Sequence, residues 1–313
     1  MKSLSAVLKL IRWPNLVFIV LTQFLFWYFV LPFAYKEGHS GYESPKLSGE
    51  LFLILVLASV CIAAAGYIIN DYFDVDIDQV NKSSKVIIGT FIKKRSAILL
   101  HAFLSSAGLA LSFYAGYKLN NYYITFFNFL SILFLWLYST TFKKKLLIGN
   151  ILISLLMAWV ILVLALAEYR FRISVTDIVW QRILKGSFIY SGFAFIISLV
   201  REVIKDMEDI EGDAKFGCTT MPIVWGVPAA KVFAGVWLVV LIGLILIIIM
   251  YIIQFGWWWV SLYAVITLVA PSIWVLRKLA SANSPAQYHQ LSTAVKLIML
   301  AGILSMLFFY TSH

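Results

Sequence analysis

Polar residues are scarce along this chain and gather at the borders of long apolar runs. The runs fall at roughly 16–34, 51–69, 97–117, 122–142, 146–167, 186–200, 232–255, 257–276 and 293–310. A helix needs about 20 apolar residues to cross a hydrocarbon core, and eight of the nine runs come close to that or exceed it. The run at 186–200 is short, and the amphipathic start of the polar segment that follows extends it. The pattern therefore predicts nine transmembrane helices. The first run, preceded by Lys2, Lys9 and Arg12, is too long for a signal-peptide core and lacks a small-residue cleavage site, so it is expected to be retained as a span.

Composition places the chain in the same class. Of 313 residues, 62% are hydrophobic and 13% charged, and the mean hydropathy is +0.91. That is the composition of a polytopic helical membrane protein. Cys61 and Cys218 form neither a disulfide framework nor a metal-finger spacing. No Pro- or Gly-rich linker divides the sequence, so residues 1–313 are read as one domain. The expected fold is an all-α integral membrane protein, nine helices in one bundle around a central cavity that opens to the cytoplasmic side.

The net charge of +10 belongs to topology rather than to nucleic acid, because the basic residues sit at the ends of apolar runs and not on a solvated face. With a cytoplasmic N-terminus, seventeen Lys and Arg fall on the cytoplasmic side and seven on the other, with Lys296 at a span edge. Excess positive charge marks the inner face. The protein is therefore expected to be a multi-pass protein of the cell's inner or plasma membrane, with its N-terminus and active site cytoplasmic. Lys93, Lys94 and Arg95 directly precede a span and read as topology charges. Trp257, Trp258 and Trp259 read as an interfacial belt.

The acids carry the chemistry. Ten of the 15 fall in two segments, one after span 2 and one after span 6, which places both on the cytoplasmic side. The first, from Gly66 to Asp78, packs four aspartates into eight residues. At about 100° per residue, Asn70, Asp71, Asp74 and Asp78 share one face of a helix, with Asp76 opposite Asp74. In the second, Arg201 to Asp213, the residues Asp206, Asp209 and Asp213 share a face, with Glu202 one turn earlier. Asp76, Glu208 and Glu211 point off these faces and read as solvated. His39, His101, His289 and His313 are dispersed, none is expected beside an acidic cluster, and no charged residue is expected in mid-span.

Crowded carboxylates repel one another, and a bound cation relieves that. Oxygen-only ligands favour a hard ion, Mg2+ above zinc. Two such clusters at the mouths of apolar spans suit the transfer of an isoprenoid from its diphosphate. The leaving diphosphate needs Mg2+ and cationic side chains on its oxygens, and the apolar tail needs a greasy cavity shielded from water. On this reading Asn70, Asp71, Asp74, Asp78, Asp206, Asp209 and Asp213 are metal ligands, with Asp74, Asp78, Asp206 and Asp209 catalytic. Lys82, Lys85, Lys143 and Lys205 contact the diphosphate, Lys143 with topology-setting charge as the competing reading.

Asn70-Asp71-x-x-Asp74-x-x-x-Asp78 resembles the signature of the UbiA-type intramembrane prenyltransferases, and Asp206-x-x-Asp209-x-x-x-Asp213 resembles their second Asp-rich motif. Arg12-Trp13-Pro14-Asn15 and Tyr138-Ser139 with Lys143 are similar as well, which implies Arg12, Asn15, Tyr138 and Ser139 in the substrate pocket. The resemblance implies a Mg2+-dependent transferase that moves a polyprenyl group onto a lipid or aromatic acceptor. The second segment, followed by Thr219-Thr220-Met221-Pro222, is most similar to the ether-lipid branch. Members of that branch join geranylgeranyl diphosphate to the hydroxyl of geranylgeranylglyceryl phosphate. The aromatic branch of quinone synthesis is the alternative, with 1,4-dihydroxy-2-naphthoate or 4-hydroxybenzoate acceptors. An ion-coupled transporter is the alternative outside enzymes. One departure stands out: where the family has Arg-Pro after its first motif, this chain reads Lys82-Ser83-Ser84-Lys85-Val86, without the bidentate fork of Arg. The expected partners are an isoprenyl diphosphate, a hydrophobic acceptor and the bilayer, with neither nucleic acid nor a protein partner.

Overall fold

The computed structural model describes residues 2–35, 44–81, 86–170 and 177–310. Among these, nine helices are long and apolar enough to cross a membrane: Trp13–Tyr35, Gly49–Gln79, Lys94–Lys118, Tyr123–Thr140, Ile148–Glu168, Ile178–Glu208, Gly226–Ile253, Trp258–Ser281 and Pro285–Phe309. They are numbered here as spans 1 to 9. Each expected run is found, and most of the helices overshoot it. Backbone hydrogen bonding continues past the apolar stretch into flanking polar residues, where hydropathy gives no signal. Span 6 shows this most strongly, with 31 residues where the apolar run has 15. Span 9 starts at Pro285, capped by Ser284 in a reciprocal capping box with Gln287. Lys296 consequently lies in the middle of span 9, and the expectation of no mid-span charge is corrected.

Two spans are interrupted for one physical reason. Phe26–Val30 in span 1 and Val265–Val269 in span 8 are π-helical turns. Each ends two residues before a proline, Pro32 and Pro271. A proline ring collides with the carbonyl four residues back, at Tyr28 and Thr267, and widening the helix there relieves the collision. No strand forms among the described residues beyond an isolated bridge between Ile88 and Ile92.

The described chain divides into two compact units, residues 1–143 with 159–188, and 144–158 with 189–313. The first unit contains a cluster of Leu10, Ile68, Val75, Ile88 and Ala97 under the end of span 2. At the other end of span 2 it carries a buried carboxylate. Glu168 Oε2 accepts hydrogen bonds from the Tyr35 hydroxyl at 2.7 Å and the Lys46 backbone N–H at 2.8 Å, and Oε1 accepts from the Leu47 N–H at 2.9 Å. Amide side chains tie helices together between these ends. Gln23 of span 1, fully buried, donates to Ser59 and to the Val160 carbonyl, both at 3.0 Å. Asn128 of span 4 donates to Ser112 and accepts from the Trp159 indole, both at 2.8 Å. Polar pairs of this kind hold helices together where lipid offers no hydrophobic drive.

The second unit is built on one large core. It comprises Ile196 to Met207 of span 6, Ala230 to Ile249 of span 7, Ala264 to Leu279 of span 8 and Tyr288 to Met299 of span 9. Spans 6 and 9 also meet closely further along: a Cβ on Gly302 would lie 2.2 Å from the Phe193 ring, and the Tyr190 and Ser305 hydroxyls are 3.2 Å apart.

Candidate active site

The first acidic segment rides on an unbroken helix of 33 residues, Gly49–Asn81. Val75 and Ile77 are buried on the two flanks of the acidic face, while Phe73 and Asp76 are exposed on the opposite side, which fixes the rotation of the helix end and turns Asn70, Asp71, Asp74 and Asp78 away from solvent. Arg12 reaches this face from the junction between the helix Lys2–Leu10 and span 1. Its backbone is left-handed there, with φ of 51°. That conformation costs a non-glycine residue about 1 kcal/mol. The strained turn delivers the guanidinium to Asp71, with Nη2 2.6 Å from Oδ1, and lays it over the Tyr67 ring at 5.2 Å. Desolvation opposes the Arg12 charge, but Asp71, Tyr67 and Asp78 outweigh it and raise the guanidinium pKa.

Asp74 is treated differently from Asp71. Lys143, on the 3-10 turn Phe142–Lys144 after span 4, forms an ion pair with its Oδ1, and both side chains are nearly buried. Asn70 Nδ2 donates to Asp74 Oδ2 at 2.8 Å. This leaves Asn70 Oδ1 as a buried carbonyl oxygen with no hydrogen-bond partner among the described residues. Of the expected substrate-pocket residues, Arg12 joins this cluster directly, and the Asn15 N–H bonds the Arg12 carbonyl at 2.8 Å. Ser139 is buried and donates to the Leu135 carbonyl of its own helix at 2.8 Å, with Tyr138 beside it in the chain. Lys82 and Lys85 lie outside the described residues.

The second segment is not one continuous helix. Span 6 ends at Glu208, Asp209 leaves the helical region (φ −98°, ψ 8°), and a short helix, Ile210–Lys215, follows. The expectation that Asp206, Asp209 and Asp213 share a face of a single helix is therefore corrected. Aspartate and Gly212 are poor helix formers, and a short acidic side chain competes for backbone donors. The N–H groups of Asp209 and Asp213 still bond carbonyls four residues back, at 2.9 and 3.1 Å, so the break is local.

Asp206 receives a neutral donor: Asn150 Nδ2 lies 2.8 Å from its Oδ2. The nearby cations go to Glu202, which accepts from Arg201 at 3.0 Å and from Lys205 at 3.2 Å. Two expectations fail at Glu208. It is largely buried rather than solvated, and His289 Nδ1 lies 3.0 Å from its Oε1, so a histidine does accompany this cluster. Asp76 and Glu211 are exposed as expected, Glu211 in an ion pair with Lys215. Thr219, just beyond the segment, bonds the Lys144 carbonyl through both its N–H and its hydroxyl. Asn150 was missed from sequence. Its only signal is a lone amide near the start of the apolar run at 146–167. Among the described residues, no group of three or more His, Cys, Asp or Glu side chains is close enough to hold an ion.

Nine apolar helices among the described residues, with carboxylates at the end of span 2 and at the end of span 6, define a multi-pass integral membrane protein. The chain belongs to the UbiA prenyltransferase family, whose family pattern matches residues 25–296, and it is accordingly a prenyltransferase. It is 31% identical to a digeranylgeranylglyceryl phosphate synthase of Methanopyrus kandleri over 261 residues, 83% of this chain and 86% of that one. A protein of the same name from Methanothermobacter thermautotrophicus is 31% identical over 194 residues, 60% of this chain and 62% of that relative. The fold superposes on a solved structure of digeranylgeranylglyceryl phosphate synthase with a TM-score of 0.68, at 25% identity and 98% coverage of both chains. It also superposes on a UbiA homologue of Archaeoglobus fulgidus bound to DMAPP and Mg2+, with a TM-score of 0.55, at 16% identity and coverage of 96% of this chain and 98% of that one.

Proposed function

We propose that the chain, acting as one domain, transfers a geranylgeranyl group from its diphosphate to the glycerol hydroxyl of geranylgeranylglyceryl phosphate. The allylic C–O bond breaks with its electron pair leaving on diphosphate, an ether C–O bond forms, and the hydroxyl proton is lost. The observation that carries this reading is the first acidic face, an oxygen-only donor set on a rigid helix with two cations, Arg12 and Lys143, drawn to it. The names of the relatives support the ether-lipid acceptor.

The residues fit Mg2+. Asn70 Oδ1 is a buried carbonyl oxygen in want of a partner, and it lies beside carboxylates with no soft ligand among them. Asn70, Asp71, Asp74 and Asp78 on one segment are the proposed ligands for Mg2+, as are Asp206, Asp209 and Asp213 on the other. Bound Mg2+ would supply counter-charge to the departing diphosphate. Lys143, Lys205 and Arg12 add fixed positive charge for the same oxygens, with Lys82 and Lys85 as further contacts. Asn150 orients Asp206 by its hydrogen bond. The surrounding apolar helices keep water from the allylic cation. The N-terminus and the site are proposed to be cytoplasmic, from the distribution of Lys and Arg.

The test is a membrane assay with Mg2+ and labelled geranylgeranyl diphosphate, offering geranylgeranylglyceryl phosphate and 1,4-dihydroxy-2-naphthoate separately. Product from the glyceryl phosphate, lost with EDTA, is expected. Product from the naphthoate alone would move the chain to quinone synthesis, and EDTA-resistant transfer would remove the metal.

A further inference from the structure

Thr219-Thr220-Met221-Pro222 follows the second acidic segment and takes no part in the chemistry proposed above. The chain reaches it through a left-handed turn at Gly217, which has φ of 68°. The N–H groups of Gly217 and Cys218 bond the carbonyls of Ala214 and Asp213 at 3.3 and 3.0 Å. Together they close the helix Ile210–Lys215 with a Schellman cap, where glycine adopts the left-handed turn without strain. Beyond it, Cys218, Thr220 and Met221 are buried, Met221 in the large core of the second unit. Thr219 lies between these buried neighbours and is itself exposed. The backbone is thus pinned on both sides of a residue whose own side chain adds nothing to the core.

Both donors of Thr219 go to one acceptor. Its N–H lies 2.7 Å and its hydroxyl 2.9 Å from the Lys144 carbonyl. Lys144 closes the three-residue turn Phe142–Lys144, in which no residue is buried. A single 3-10 turn has little hydrogen bonding of its own. The chain after it is irregular too, with Leu147 left-handed at φ of 59°. Yet this turn carries Lys143, whose ammonium pairs with Asp74 while only 10% of its side chain is exposed. A lysine side chain is long and flexible, so holding its ammonium nearly buried on one carboxylate requires a fixed backbone beneath it.

We infer that Thr219 is a positioning residue that fixes the Phe142–Lys144 turn and so sets the Lys143 ammonium against Asp74. The inference rests on the function proposed above, in which Lys143 serves the diphosphate and competes with the metal for that carboxylate. Thr219 acts indirectly, through the carbonyl of the residue next to Lys143. A threonine kept for packing would bury its methyl, and this one is exposed. What the side chain adds is a second donor on a carbonyl that its own N–H already holds. Serine keeps both donors, whereas valine and alanine keep only the N–H.

The first test needs no turnover. In the purified full-length protein, brief acetylation by an N-hydroxysuccinimide ester is followed lysine by lysine with mass spectrometry. Exposed Lys93, Lys94 and Lys278 should label fast and Lys143 slowly. In Thr219→Val, Lys143 should label about fivefold faster, the effect of one lost hydrogen bond. Thr219→Ala should do the same, which removes the added methyl of valine as the cause. Thr219→Ser should label like the wild type, and the exposed lysines should not change in any variant. Lys143 labelling that stays at the wild-type rate in the valine and alanine variants would overturn the inference, even if transfer were impaired.

Transfer kinetics supply the second test. Thr219→Val should lower the half-saturating Mg2+ concentration about threefold and kcat by a similar factor, because Lys143 then holds Asp74 less firmly. In a Lys143→Gln background the same change should do nothing, since the residue it positions has gone. Losses that add in the double variant would refute a role through Lys143. Faster labelling of Lys143 in Thr219→Val, in a protein that transfers no prenyl group, would refute the proposed function and leave the hold of Thr219 on Lys143 standing.

Discussion

The two acidic segments look alike as strings and are held in opposite ways. In the first, an uninterrupted helix carries the carboxylates and cations come to them, Arg12 to Asp71 and Lys143 to Asp74. In the second, the helix breaks at Asp209, the aspartate before the break receives a neutral amide from Asn150, and the cations are held one turn back by Glu202. The first face is thus balanced by charge and the second by a hydrogen bond. A metal ion binding the first face has cations to compete with. At Asp206 the bonded partner is an amide that stays in place and keeps the carboxylate aimed.

Substitution of the carboxylates themselves should have the largest effect. Asp74→Ala and Asp206→Ala should each lower kcat about 10³-fold in a labelled-prenyl transfer assay. Activity that survived at one of them would show that only one segment serves the reaction. Next comes the amide: Asn150→Ala should lower kcat/KM about 10- to 100-fold and raise the Mg2+ concentration for half-maximal rate, as loss of an orienting partner does.

The cation makes the sharper contrast. Lys143→Gln should lower kcat while reducing the half-saturating Mg2+ concentration about tenfold, because a competitor for Asp74 has gone. A Mg2+ titration in which both variants moved in the same direction would erase the distinction between the segments. The smallest effects belong to the off-face acids: Asp76→Ala and Glu211→Ala should stay within about twofold of the wild type in the same assay.

Much of the fold was legible in the sequence because hydropathy over 20 residues is an unambiguous signal and the membrane leaves few alternatives. All nine spans were found that way. Their ends were not, since a helix continues through polar residues once its hydrogen bonds are running, and that moved Lys296 from a span edge to mid-span. Spacing also identified the carboxylate faces, but it assumes an ideal helix and so could not register the break at Asp209. Partners from distant parts of the chain were the least visible. Asn150 lies 56 residues from Asp206 and His289 lies 81 from Glu208, and neither pairing leaves any local periodicity to read. The π-helical turns were readable in principle, because Pro32 and Pro271 stand inside apolar runs and each must disturb the turn before it.

Glu168 has a consequence for how this chain can change over evolutionary time. By bonding the N–H groups of Lys46 and Leu47, it fixes the point from which span 2 starts, at one end of a 33-residue helix whose other end carries the aspartates. Position along such a rod is also phase. One residue inserted between Gly49 and Gly66 would advance the far end by about 1.5 Å and turn it by about 100°. Asp71 and Asp74 would then face away from Arg12 and Lys143, although no functional residue had been replaced. Exposed apolar positions of span 2, such as Leu53 and Leu57, can therefore exchange one apolar side chain for another, while the length of the span is locked at both ends.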